Sequence, residues 1–160
     1  MKQFGTILFT EEQRKRFRSG ELVKEWRRIH KEIFDEDDMR ITSKEIKNNS
    51  YHFFEWLAAI VIHNTTGYLS LVEKYQFKNH LRKQKILPKL FSDEIVAKIC
   101  RGGVQNPDLL CYRPDFKDYF FCEVKGLRDQ IRSVQKKRFR ELKRLSGKEI
   151  YLIKFKKKIA

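Results

Sequence analysis

At 160 residues the chain has room for one domain with a sizeable core, which excludes a multidomain enzyme. Hydrophobic residues make up 41% and charged residues 36%, so a disordered tail is excluded as well. A formal charge of +15 favours a polyanionic partner such as nucleic acid. Nearly all of that excess falls after residue 50. Residues 1–50 are therefore expected to form a near-neutral helical extension, and residues 51–160 the domain that faces the polyanion. Cys100, Cys111 and Cys122 are odd in number and form no CxxC pair, which argues against a disulfide framework or zinc ribbon and for a reducing, cytoplasmic setting. Met1 to Thr10 lacks the apolar run of a signal peptide. The longest apolar run, Trp56 to Ile62, is far short of the roughly 20 residues a membrane helix needs, so no membrane is expected.

Thr10 followed by Gln13 fits a capping box, and Leu22, Trp26, Ile29 and Ile33 recur at helical spacing, with Gly20 separating two helices. The acidic cluster Asp35, Glu36, Asp37 and Asp38 reads as a solvated loop. From Tyr51 onward, FFEWLAAIVI is apolar on almost every face, the mark of a buried helix. Glu55 interrupts it, and a carboxylate there needs a cation, a metal or a hydrogen-bond donor. A helix is expected over about Leu69–Leu87, ended by Pro88, and a short one over Asp93–Cys100 before Gly102-Gly103. Leu109–Arg113 and Tyr119–Lys125 read as an antiparallel strand pair joined by a turn-like spacer. A helix over about Gln130–Leu145, stopped by Gly147, then leads to a strand over Glu149–Phe155. The expected class is α/β, a mixed sheet flanked by helices.

Within the strand pair, Glu123 and Lys125 share one face while Val124 points the other way. Pairing across the spacer brings Asp108 beside Glu123, where two carboxylates repel unless a proton or a cation separates them. A hard divalent cation such as Mg²⁺ or Mn²⁺ supplies that charge with the oxygen ligands it prefers. Lys125 is suited to orient or deprotonate an attacking water, or to stabilise charge on a phosphate.

Pro107-Asp108, a gap of 14 residues, and Glu123-Val124-Lys125 resemble the PD-(D/E)xK nuclease signature. The continuation EVKGLRDQIRSVQ, Glu123 to Gln135, is similar to the corresponding stretch of the virus-type replication-repair nuclease (VRR-NUC) domain, and the likeness covers about residues 51–155. The resemblance implies a restriction-endonuclease-like fold and metal-dependent hydrolysis of DNA phosphodiesters, on branched or flapped DNA among other substrates. It places Asp108, Glu123, Lys125 and Gln135 in the catalytic set and Glu55, Asp108, Glu123 and Val124 in the metal set.

Each assignment has a structural alternative. Asp108 after proline also suits a turn, and Glu123 with Lys125 an exposed strand pair; Phe120, Phe121 and Cys122 argue for a buried strand instead. Asp129 reads as a helix N-cap. Gln135 lies on the apolar side of its helix, where a core hydrogen bond explains it nearly as well as a site role. Glu55 also suits a buried partner for Lys125. Arg132, Lys136, Lys137, Arg140 and Lys143, with Arg138 and Arg144 beside them, form a basic helix face read as phosphate contacts, and Lys154 to Lys158 adds four lysines. The partner expected is DNA, with RNA left open, and the helical extension offers surface for a homodimer. The rival function is a nucleic-acid-binding module that keeps the nuclease fold without catalysis; the complete Asp108, Glu123 and Lys125 set favours the enzyme.

Overall fold

The computed structural model describes residues 1–34, 52–72, 81–101 and 105–159. Five strands form one mixed sheet in the order β1-β5-β4-β3-β2: β1 (Lys2–Phe9), β2 (Leu69–Val72), β3 (Leu109–Tyr112), β4 (Tyr119–Lys125) and β5 (Ile150–Lys157). β1 and β4 each run parallel to β5, whereas β3 runs antiparallel to both of its neighbours, β2 and β4. Among the described residues the helices are α1 (Glu11–Arg18), α2 (Glu21–Ile29), α3 (Phe53–Thr66), α4 (Leu81–Leu90), α5 (Asp93–Arg101) and α6 (Ser133–Ser146). None is long and apolar enough to cross a membrane.

Alternation along the central strands divides the core between the two faces of the sheet. Cys122 and Val124 of β4 join Phe9, Phe17, Phe53 and Ile62 under α1–α3. Phe121 joins Leu87, Ile99, Phe139 and Leu142 under α4–α6. The expected α/β class, with helices flanking a mixed sheet, is the one found. Thr10 and Gln13 make the reciprocal capping bonds, at 2.8 and 3.1 Å. Gly147, at φ +68°, ends α6 in the left-handed conformation that spares glycine a side-chain clash.

Several local expectations are corrected. The first residues are not only helical: β1 is an edge strand of the same sheet, and residues 1–34 are built into the core shared with the rest of the chain. Phe4 and Ile7, three apart, would face opposite sides of a regular strand. A register irregularity between Gln3 and Gly5 resets the alternation, and both pack on the α3 side. Ile29, expected on the apolar stripe of α2, is half exposed. Leu69–Val72 is a strand and not the start of a helix, held by the Leu69–Tyr112 and Val72–Leu109 pairings. Pro88 lies inside the last turn of α4 and does not end it. The acidic cluster 35–38 and the Gly102-Gly103 break lie outside the described residues.

Candidate active site

Leu109 pairs with Cys122, so the hairpin register sets Asp108 opposite Glu123 at the end where β4 runs into the loop before α6. The two acids are interlocked through the backbone. Asp108 Oδ2 accepts the Val124 N–H at 2.8 Å, and the Asp108 N–H donates to Glu123 Oε2 at 3.3 Å. Glu123 is 1% exposed, on the α6 side of the sheet. Its Oε1 receives the Lys125 Nζ at 2.7 Å and the Gln135 Nε2 at 3.0 Å. Lys125 keeps a small opening to solvent.

Gln135 is buried, and its amide works in two directions. The oxygen accepts the Arg132 N–H at 3.1 Å, closing the first turn of α6, while the nitrogen holds Glu123. Helix capping and carboxylate positioning are thus coupled through one side chain. Asp129 is not the N-cap of α6, which is Arg132; its Oδ2 accepts the Gly126 N–H at 3.1 Å and closes the turn after β4. Gly126 eases the packing here: a Cβ would stand 3.2 Å from the Phe54 ring and 3.1 Å from Asp129 Oδ2, so those side chains would have to give by a few tenths of an ångström for the first turn of α3 to reach the end of β4.

That approach brings Glu55 to the site. Burial, with the charges of Glu123 and Asp129, raises its carboxyl above the usual range. Lys125 pairs with Glu123, not with Glu55, so the alternative of a Glu55–Lys125 ion pair is not what forms. Asp108 is held well above the ordinary carboxyl range by burial first and by the Glu123 and Glu55 charges next. Glu55, Asp108 and Glu123 therefore feel one another's charge beside a single ammonium, which contacts Glu123, and the exposed Asp129 adds to the negative field. If those three ionise, their charge exceeds that of Lys125 by two.

Among the described residues no three acid, histidine or cysteine side chains already stand as a metal-ligand cluster. The donor types nevertheless fit a hard cation, since Glu55, Asp108 and Glu123 offer carboxylate oxygens. The Val124 side chain points into the opposite core layer, which leaves only its main-chain carbonyl for such a set.

The basic residues on α6 separate by exposure. Arg132, Lys136, Lys137, Arg140 and Lys143 are exposed, with Lys143 bound to Glu149 at 2.9 Å. Arg138, read from the sequence as part of the same face, is buried and points into the fold. Its Nε donates to Asn106 Oδ1 at 2.8 Å and its Nη2 to the Lys98 carbonyl at 2.8 Å, which ties α6 to α5. Sequence reasoning missed the spacing role of Gly126, which became visible only once Phe54 was seen against it. It also missed Arg128, which the turn after β4 places on the lining of the same groove as Lys125.

No family profile, no curated protein and no solved structure matches this chain.

Proposed function

We propose that the protein is a metal-dependent nuclease that hydrolyses DNA phosphodiester bonds, a member of the VRR-NUC branch of the PD-(D/E)xK nucleases that works in the cytoplasm. The observation that carries this reading is the partly buried Asp108 set beside the fully buried Glu123, with Lys125 as the ammonium that pairs with them. Burying an uncompensated carboxylate costs several kcal/mol, about as much as a small domain can spare, unless a ligand restores the balance. Three free, unpaired thiols suit the reducing compartment.

In this reading Glu55, Asp108 and Glu123 hold Mg²⁺ or Mn²⁺, which when bound supplies Lewis-acid stabilisation of charge on the phosphate. Lys125 orients the attacking water and, as the ammonium, stabilises the developing charge on the phosphoryl oxygens. Gln135 keeps Glu123 Oε1 in place. The Asp108 N–H fixes the other oxygen, so the carboxylate does not need to be reorganised when substrate arrives. Specificity comes from DNA shape and backbone contacts, with the exposed lysines and arginines of α6 on phosphates.

The test is incubation with labelled linear, flapped, gapped and four-way-junction DNA in Mg²⁺, Mn²⁺ or EDTA, beside Lys125→Ala. The reading expects metal-dependent cleavage that falls by at least ~100-fold in the variant. Salt-dependent binding with no cleavage in any condition would overturn it in favour of the non-catalytic binding module.

A further inference from the structure

We propose that the substrate strand leaves the candidate active site along the open face of β5, where Lys154 and Lys156 hold successive phosphates of a single-stranded segment. The inference rests on the nuclease reading and adds the route of the strand. A groove of about 610 Å³ opens beside Lys125, bounded by the loop 126–130 on one side and by residues 154–157 of β5 on the other.

Lys125 and Lys154 are partners in the parallel β4–β5 ladder, so they stand on adjacent strands about 4.8 Å apart at the backbone. Two residues on, about 6.6 Å further along the strand, Lys156 shares that face. Phe155 between them turns into the core. This gives one row of cations that begins at Lys125. The row matches the single backbone of an unpaired strand, whereas a duplex presents two.

Three further observations distinguish this row from an ordinary solvated surface. Lys154, Lys156 and Arg128 are exposed and have no carboxylate partner among the described residues, while Lys157 beside them is bound to Glu11 at 3.2 Å. Helix α6 covers only the first half of β5: Leu152 is buried, but Lys154 and Lys156 on the same face are open. Across the ladder, Thr6 and Leu8 of β1 are exposed opposite Lys154 and Lys156, so the open face continues to the sheet edge. Lys125 at the head of the row is paired with Glu123 and Asp129 stands at the groove's edge, but Lys154, Lys156 and Arg128 add positive charge that no carboxylate binds, and a run of phosphates relieves their repulsion.

Binding of a fluorescent oligothymidylate, titrated with salt in EDTA so that no cleavage occurs, tests the route. The double variant Lys154→Gln/Lys156→Gln is expected to lower the slope of log affinity against log salt by about 1.4, from ~0.7 per single-strand phosphate contact. At 0.1 M salt this is a loss on the order of ten-fold, and Lys154→Arg/Lys156→Arg should restore the slope. Unchanged affinity and slope in the glutamine variant, or no oligonucleotide binding by the wild type, would overturn the route. The two readings fail separately. Cleavage by the wild type without a slope change sinks the route alone. Lysine-dependent binding without cleavage under any metal sinks the nuclease and leaves the strand-binding groove.

Discussion

Helix α6 carries two buried polar side chains one turn apart, Gln135 and Arg138, and each serves a charged centre of opposite character. Around Arg138 the guanidinium is fully engaged: Nε donates to Asn106, Nη1 to Glu141 at 2.8 Å, and Nη2 to the Lys98 and Ile99 carbonyls at 2.8 and 3.2 Å. One charge meets one carboxylate and three neutral acceptors, and nothing is left over. Around Gln135 the chain gathers Glu55, Asp108 and Glu123 against one lysine. Charge that joins α5 to α6 is closed by partners within the chain. At the carboxylate centre burial and mutual repulsion raise Asp108 and Glu55, so the balance there falls to a proton or, in the proposed reading, to a cation.

Removing the closed centre should have the largest effect. Arg138→Ala removes the donor to the Asn106 amide oxygen and to the Lys98 carbonyl in the core, while the Ile99 carbonyl keeps its bond from Asn106 Nδ2, and should cost about 3–5 kcal/mol. Thermal unfolding followed by circular dichroism should show the midpoint falling by about 10 °C. Cleavage per folded molecule, measured below the new midpoint, should stay within a few-fold of wild type. Lost cleavage with an unchanged midpoint would reverse the roles assigned to the two centres.

The open centre should respond with the opposite sign. Asp108→Asn keeps an oxygen for the Val124 N–H but removes a partly buried negative charge beside Glu123. The metal-free protein should gain about 1–2 kcal/mol, a rise of a few degrees, while cleavage falls by at least ~100-fold. A fall in the midpoint of the same size would place Asp108 among the residues that build the hairpin.

A smaller effect follows from pH. Asp108 and Glu55 have raised carboxyl values in the folded chain, so the native state binds protons more tightly than the unfolded one. Their contribution to stability is fully present below the unfolded carboxyl range, near pH 4, and is lost as pH rises toward the folded values. In EDTA the midpoint should therefore decline from pH 5 to pH 7.5, and the decline should be shallower in Asp108→Asn. Surface acids such as Glu94 and Glu141 have lowered values and act in the opposite direction, below that window. Mg²⁺ should raise the midpoint more at pH 7.5 than at pH 5, because it replaces the proton. A flat profile in EDTA would show that the excess charge is already balanced within the chain.

How much of this was legible in the sequence depends on how locally each feature is determined. The Asp108–Glu123 neighbourhood was readable because a short spacer and period-two alternation fix a hairpin register almost by themselves. The inward aim of Gln135 was readable from its helical phase with Ile131 and Phe139. Strand β1 was not, because an edge strand needs few apolar residues and its irregularity after Gln3 breaks the alternation that would reveal it. Strand β2 is four residues long, too short to compete with a helical reading of its leucines. Arg138 was misread for a different reason. Its neighbours on the helix are charged, and only the approach of Asn106 and the α5 carbonyls turns that position into an interior one.

The finest distinction concerns Gln135, where the two kinds of bonding meet in one amide. Gln135→Leu removes both the acceptor for the Arg132 N–H and the donor to Glu123 Oε1. Loss of the helix-end bond alone should cost about 1 kcal/mol and lower the midpoint by about 2–4 °C. If Gln135 also positions Glu123 for a cation, the Mg²⁺ concentration for half-maximal cleavage should rise by about 10-fold or more. Saturating Mg²⁺ should then recover most of the rate, because Lys125 and both carboxylates are still present. Gln135→Glu separates the two roles: its carboxylate oxygen can still accept the Arg132 N–H but sets a second negative charge against Glu123. That variant should keep the helix end and lose the ordered carboxylate, a combination that a residue serving only to cap α6 has no means of producing.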